Sequence, residues 1–248
     1  MTKIAIIGGT GLENPEILKN AGEVNIETPY GNPSSAFLTG TIEGMEVALL
    51  SRHDRDHSIP PTQVNNRANI HAIKALNCTH IIATTACGSL REEIKRGDVV
   101  ILDQFIDFTR RRDLTFHTDF KNGKLQHTAM ADPFSGELRD LLISNAKALG
   151  LSFHERGTVI TIEGPRFSTR AESKMFQMWG ADVINMSVAP EVILANEAGI
   201  PYSAIAISTD YDAWREDEAP VTWEEVLSIF KENVEHIIRL ILKTLPMI

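Results

Sequence analysis

Apolar residues fall along this chain in two alternating rhythms. Short β-rich runs recur at 4–7, 46–50, 80–84, 99–102, 158–162 and 203–208, each apolar and partly β-branched. Between several of them the period lengthens to roughly 3.6 residues, the repeat of an amphipathic helix. The segment 64–76 carries Val64, Ala68, Ala72, Ile73 and Leu76 on this spacing. The segment 138–149 carries Leu138, Leu141, Leu142, Ala146 and Leu149, and 190–198 and 223–242 repeat the theme. Pro133-Phe134-Ser135-Gly136 reads as a start signal for the second of these helices, and Gly150 and Gly199 read as helix stops. Strand runs with no polar alternation are buried on both faces, so the order predicts an α/β chain with largely parallel strands. No repeat, low-complexity tract or linker interrupts 1–248, which reads as one domain. The one long irregular stretch, 109–127, is polar and is a candidate lid or subunit contact.

Charge narrows the partners. The 248 residues carry 24 Lys and Arg against 33 Asp and Glu, a formal charge of −9. Nucleic acid and membrane surfaces select basic patches, so the expectation is neither partner, and any positive charge used on an anion must be local. Cys78 and Cys87 sit among apolar or small residues and read as buried thiols in a reducing, cytoplasmic compartment. The apolar run after Met1 is too short for a signal peptide, and no stretch approaches the ~20 apolar residues of a membrane helix.

The chemistry gathers at strand ends. Gly8-Gly9-Thr10-Gly11 follows the first strand and can form either a tight turn or an anion cradle. Position 14 is Asn14, so the dinucleotide fingerprint is incomplete, and no Gly-Lys-Ser/Thr follows to make a nucleotide-phosphate loop. After the second strand, Arg52 offers a planar fork for phosphate oxygens and His53 a further hydrogen-bond donor. His53 and His57 have zinc spacing for a helix, but Ile59-Pro60-Pro61 makes a helix there untenable. Thr84-Thr85-Ala86-Cys87-Gly88-Ser89 ends the third strand with small and hydroxylated residues that let a ligand approach the backbone. Phe167, in Glu163-Gly164-Pro165-Arg166-Phe167-Ser168, can stack on a planar base or pack in the core. Ser187 can cap the following helix or meet an anion. Asp210 and Asp212 close the last strand, and two acids spaced by one residue in extended chain point the same way. They suit solvated loop acids, a metal, or a purine, where a protonated carboxyl donates and an ionised one accepts.

Taken in order, these segments, with Asn185-Met186-Ser187 and Pro190-Glu191, resemble the 5′-deoxy-5′-methylthioadenosine phosphorylases of the trimeric purine nucleoside phosphorylase group, over 4–246. The resemblance implies a single α/β domain around a mixed, distorted, β-barrel-like sheet flanked by helices, assembled as a homotrimer or hexamer. It implies phosphorolysis of methylthioadenosine, with purine nucleoside or methylthioinosine phosphorolysis as the alternative. Phosphate is a co-substrate and no metal or organic cofactor is implied. Thr10, Arg52, His53, Thr85, Ala86 and Ser187 are then expected on phosphate, Met186 along the ribose, and Phe167, Ser168, Asp210 and Asp212 at the purine, with Asp210 catalytic. The chain ends at Ile248, before the extension that helps close the 5′ pocket in some relatives, and Trp223 stands where a small aliphatic residue is common. The 5′ wall is accordingly expected from His57, Trp223 and Leu227, with His127 from a neighbouring subunit.

Overall fold

The structure, a computed structural model, describes residues 2–8, 17–120, 125–217 and 221–248. Along the chain run β1 (Lys3–Gly8), β2 (Lys19–Val24), β3 (Phe37–Ile42), β4 (Met45–Ser51), α1 (Asn66–Ala75), β5 (His80–Ser89), β6 (Val99–Ile101) and β7 (Gln104–Phe108). They are followed by α2 (Gly136–Leu149), β8 (Phe153–His154), β9 (Thr158–Ile162), α3 (Arg170–Met178), β10 (Val183–Asn185), α4 (Val188–Ala198), β11 (Tyr202–Asp210) and α5 (Trp223–Thr244). Every strand and helix read from the sequence is present. β2, β3, β7, β8, β10 and α3 are additional.

The strands form one mixed sheet in the order β2-β3-β4-β1-β5-β10-β9-β7, with β11 joined to β5 and β6, and β6 to β8. The expected barrel-like curvature takes the form of a fork rather than a closed barrel. β5 is the branch point. On one side it pairs with β11 in parallel from Ile81 to Gly88. On the other it pairs with β1 in parallel up to Ala83, then with β10 in antiparallel from Gly88. On that second side, between β1 and β10, Thr84–Cys87 has no laddered neighbour among the described residues, while β11 stays paired along the first.

Side-chain alternation divides the core between the two faces of the sheet. Ala5 and Ile7 of β1 and Ala204 and Ala206 of β11 pack with Ile70 and Ile73 of α1 and Val188 and Val192 of α4. Ile4, Ile6, Ile205 and Ile207 pack the other way, with Leu142 of α2 and Phe230, Ile237 and Leu240 of α5. Because both faces of β1 and β11 are covered, these strands read as continuous apolar runs. A smaller cluster of Leu90, Ile160, Ile162, Phe176 and Ile184 lies beneath α3.

The helix ends follow the sequence signals. Ser135 accepts from the Leu138 amide at 3.4 Å to cap α2, and Gly150 ends that helix at φ 65°, where a side chain would be strained. α3 starts with a capping box in which Thr169 accepts from the Glu172 amide and Glu172 accepts from the Thr169 amide. The described part of 109–127 contains no helix or strand, yet much of it is pinned. Arg112 bonds Glu163 at 2.9 Å, Asp113 pairs with Arg67 at 2.6 Å, and Thr115 and the Phe116 amide donate to Glu197 at 2.7 Å each. This strap is tied across the ends of β9, α1 and α4, so it is not a free lid. No described helix is long and apolar enough to cross a membrane.

Candidate active site

The fork at β5 opens into a cavity of about 480 Å³. Arg52, His53, Thr85, Ala86 and Ser187 line one pole, and Phe167, Asp210 and Asp212 another. Met186 lines it as well, and so do His57, Trp223 and Leu227, with the His57 and Trp223 rings 5.9 Å apart. Residues spread over more than 170 positions thus share one space. Thr10, with Gly9 and Gly11, lies outside the described residues. His127 lines a separate cavity of about 450 Å³ beside Phe120, away from its own chain's central cavity. Ser168 does not line the central cavity either, and its hydroxyl is buried against the Asp212 carboxyl.

Arg52 anchors the first pole. It is 3% exposed and grips the fully buried Glu191 of α4 with two bonds, Nε to Oε1 at 2.5 Å and Nη2 to Oε2 at 3.1 Å. Tyr202 donates to the same carboxylate at 2.8 Å, and Arg52 Nη1 donates to the Thr84 carbonyl at 2.9 Å, on the unladdered flank of β5. Burial works against the guanidinium charge, but the Glu191 carboxylate more than offsets it and raises the Arg52 pKa. The guanidinium is thereby fixed flat at the cavity floor, with its charge largely answered by Glu191.

His53 differs from the sequence expectation. Its Nδ1 sits 2.9 Å from the Ile59 carbonyl, which can only accept, so Nδ1 carries the proton and Nε2 keeps a lone pair. Burial, and then the neighbouring Arg52 charge, lower its pKa to about 4. The neutral ring therefore meets a ligand as an acceptor and not as the donor expected.

Ser187 resolves the choice left open by its position. It is the N-cap residue of α4, yet its side chain makes no cap bond. Its hydroxyl instead lies 3.3 Å from that of Thr85, which also receives Asn185 Nδ2 at 3.3 Å. Thr161 donates to Asn185 at 2.8 Å and accepts from the Ala189 amide at 3.1 Å. Hydroxyls and the N-terminus of α4 thus converge on one spot, an arrangement suited to an anion.

The acidic pole depends on a glycine. A Cβ at Gly88 would stand 2.8 Å from Asp210 Oδ1 and 3.2 Å from Asp212 Cβ. Asp210 is 4% exposed, and its carboxyl accepts from the Thr209 hydroxyl and the Asp212 amide, both at 2.8 Å. Burial raises the pKa of Asp210 above the usual carboxylate range against the pull of these hydrogen bonds, and that of Asp212 against hydrogen bonds from Ser173, the Ala213 amide and Ser168. Asp212 takes a left-handed conformation, φ 49°, which turns it from the strand line toward the cavity.

A family model of the phosphorylase superfamily matches residues 3–246. The chain belongs to the phosphorylase superfamily. This phosphorylase is 52% identical to S-methyl-5′-thioadenosine phosphorylase of Xenopus tropicalis, over 99% of its own length and 89% of that protein. It is 50% identical to the Danio rerio protein of the same name, again over 99% and 89%. The solved methylthioadenosine phosphorylase of Schistosoma mansoni, in complex with adenine, superposes with a TM-score of 0.93 at 39% identity, covering 100% of this chain and 92% of that one.

Several residues that shape the site of this phosphorylase escaped the sequence reading of individual roles. Glu191 signals itself only as a carboxylate inside an otherwise apolar helix. Arg112, from the irregular strap, has a side chain 2% exposed and donates to the Glu163 and Met186 carbonyls at 2.7 and 3.3 Å. Met186 is also fitted to Gly164, where a Cβ would lie 2.5 Å from its sulfur. Ile59, Pro60, Pro61, Val226 and Phe230 complete the apolar wall near Trp223. His57 bridges the poles, 5.6 Å from the His53 ring and 5.9 Å from that of Trp223.

Proposed function

We infer that this phosphorylase cleaves S-methyl-5′-thioadenosine with inorganic phosphate, giving adenine and 5-methylthioribose 1-phosphate. The observation that carries this reading is the polarity of the cavity: a cradle of hydroxyls and a helix N-terminus at one end, two carboxyls with raised pKa values at the other. The names of the relatives agree with it.

In this reading phosphate rests on Thr10, Arg52, Thr85, Ala86 and Ser187, where the unladdered stretch of β5 presents its backbone. His53 Nε2 accepts the proton of a monoprotonated phosphate, which orients its other oxygens toward C1′. A phosphate oxygen bonds to C1′ as the C1′–N9 bond breaks, and the electron pair of that bond passes to the adenine. The developing positive charge on the sugar lies beside the bound anion, a stabilisation fixed in place before reaction. Burial keeps a proton on Asp210 at higher pH than for a free carboxyl, and Asp210 gives it to N7 of the departing base. Asp212 accepts from the 6-amino group and Phe167 covers the ring. Met186 lies along the ribose. His57, Trp223 and Leu227, backed by the apolar wall, take the methylthio group, which makes no hydrogen bond. The chemistry needs neither metal nor organic cofactor. The working assembly is a homotrimer in the cytoplasm, with His127 reaching the 5′ end of a neighbouring site.

The test is adenine release from methylthioadenosine with and without phosphate, alongside adenosine, inosine and methylthioinosine. Strict phosphate dependence and preference for the methylthio 6-amino substrate are expected. Adenine released without phosphate would instead mark a hydrolase. Asp210→Asn is expected to lower turnover of methylthioadenosine by about 10²–10⁴-fold, the usual reach of general acid help. Equal losses on 6-oxo substrates would remove Asp210 from the N7 role.

A further inference from the structure

Behind the acidic pole, three buried polar atoms lie together without a hydrogen bond of good geometry: Asp212 Oδ2, Ser168 Oγ and Ser173 Oγ. Ser173 is fully buried in the first turns of α3, has no access to the cavity, and faces the Asp212 carboxyl from behind. Such groups are normally satisfied in a folded chain, because leaving a buried polar atom without a partner forfeits its solvation. A serine on the apolar underside of a short amphipathic helix, beside Phe176, would pack as well or better as alanine. We propose that Ser173 is a specificity-determining positioning residue: its hydroxyl, seconded by Ser168, holds Asp212 as an ionised acceptor, so that the site selects a 6-amino over a 6-oxo purine.

The argument is one of proton inventory, and it rests on the purine-nucleoside reading above. Burial alone drives Asp212 toward its neutral acid. A neutral carboxyl has an O–H to donate and would welcome a 6-carbonyl oxygen. An ionised one can only accept and rejects that oxygen while receiving the 6-amino hydrogen. The hydroxyls of Ser173 and Ser168, as donors to the carboxylate, favour its ionised form and lower its pKa against the effect of burial. The remaining lone pairs of Asp212 are left for the base. Asp210 is held by Thr209 and the Asp212 amide, and the charge of an ionised Asp212 raises its pKa further, so the two acids can keep different protonation states.

The experiment compares wild type, Ser173→Ala, Ser168→Ala and Ser173→Thr, which keeps the hydroxyl, using methylthioadenosine and methylthioinosine at saturating phosphate across pH 5 to 9 (roughly the working range of such enzymes). Ser173→Ala is expected to lower the 6-amino to 6-oxo ratio of kcat/KM by about tenfold, the scale of one hydrogen bond to a charged group. Its acid limb for methylthioadenosine should move to higher pH, with the limb for methylthioinosine unmoved. Ser168→Ala should act in the same direction, and Ser173→Thr should restore the ratio. Equal losses on both substrates with unmoved acid limbs would overturn the proposal, and so would an unchanged ratio in both alanine variants. If wild type itself shows no phosphate-dependent adenine release, the function reading fails first, and that outcome is seen before any variant is compared.

Discussion

At Gly88 a single missing carbon decides whether two acids can reach one ligand. A methyl group there would overlap Asp210 Oδ1, and the carboxyl is held by one hydrogen bond on each oxygen, which resist its swinging aside. Gly88→Ala is therefore expected to lower kcat/KM for the nucleoside by more than tenfold (about 1.4 kcal/mol per decade) while phosphate binding, measured by calorimetry, changes little. His53 has its own signature in acid. Its folded pKa of about 4 lies below the ordinary 6.5, so the unfolded chain takes up a proton first as pH falls. Stability contributed by the neutral ring is full above about 6.5 and is lost as pH drops toward about 4. Urea midpoints measured from pH 7 to pH 4.5 should fall less steeply in His53→Asn than in the wild type, beyond any constant offset. The sequence showed residue types and their order but not proton positions. Arg52 and His53 were legible as polar groups at a strand end, whereas the donor or acceptor state of His53 depends on the Ile59 carbonyl, six residues away along a path that no periodicity describes. Ser168 was read as touching the base, and the structure places it behind Asp212, because α3 begins immediately after it and turns its hydroxyl inward.

Among the elements, those with long apolar runs were readable and those with little buried surface were not. β1, β5 and β11 are covered on both faces, so their composition alone marks them. β2, Lys-Asn-Ala-Gly-Glu-Val, is an almost wholly exposed edge strand whose existence depends on its pairing with β3. β10 has three residues, too few for any alternation to register. α3 did carry a local signal, the Thr169-x-x-Glu172 capping box, but with nine residues and only Ser173 and Phe176 buried it offers few apolar positions for a helical period to register. The strap through Arg112 is the least legible element and is a further one whose removal can be measured. Arg112→Met should leave the Glu163 carboxylate and the Glu163 and Met186 carbonyls without their common donor, while Glu163 keeps the amides of Arg110 and Arg111. A loss of about 2 kcal/mol is expected in urea denaturation, less than for a fully buried pair because Glu163 is partly open to solvent. Limited proteolysis should then cut within 109–117 before the rest of the chain.

For the whole molecule, the separation of His127 from its own central cavity becomes meaningful only in an assembly. If His127 serves a neighbour's 5′ pocket, a mixture of His127→Ala and Asp210→Asn chains, unfolded and reassembled together, should recover activity. In a mixed trimer the His127→Ala chain keeps its own Asp210 and borrows His127 from the other. Recovery absent under conditions where sedimentation shows mixed trimers would place His127 outside the site.

The fork at β5 also bears on heredity. A binding site made of side chains can be lost one substitution at a time, because each codon change removes one contact. Where a strand parts from one neighbour before meeting the next, the contact groups are peptide units, which nearly every amino acid supplies alike. At Thr85 and Ala86 only proline would delete the amide, so most mutations there alter fit and leave the donor in place. In the proposed function the backbone share of the anion pole is thus inherited with the strand order, whereas the proposed base and 5′ contacts of Asp210, Asp212 and Trp223 are open to retuning. Divergence within this superfamily is then expected to concentrate on which nucleoside is cleaved and to spare the phosphate that cleaves it.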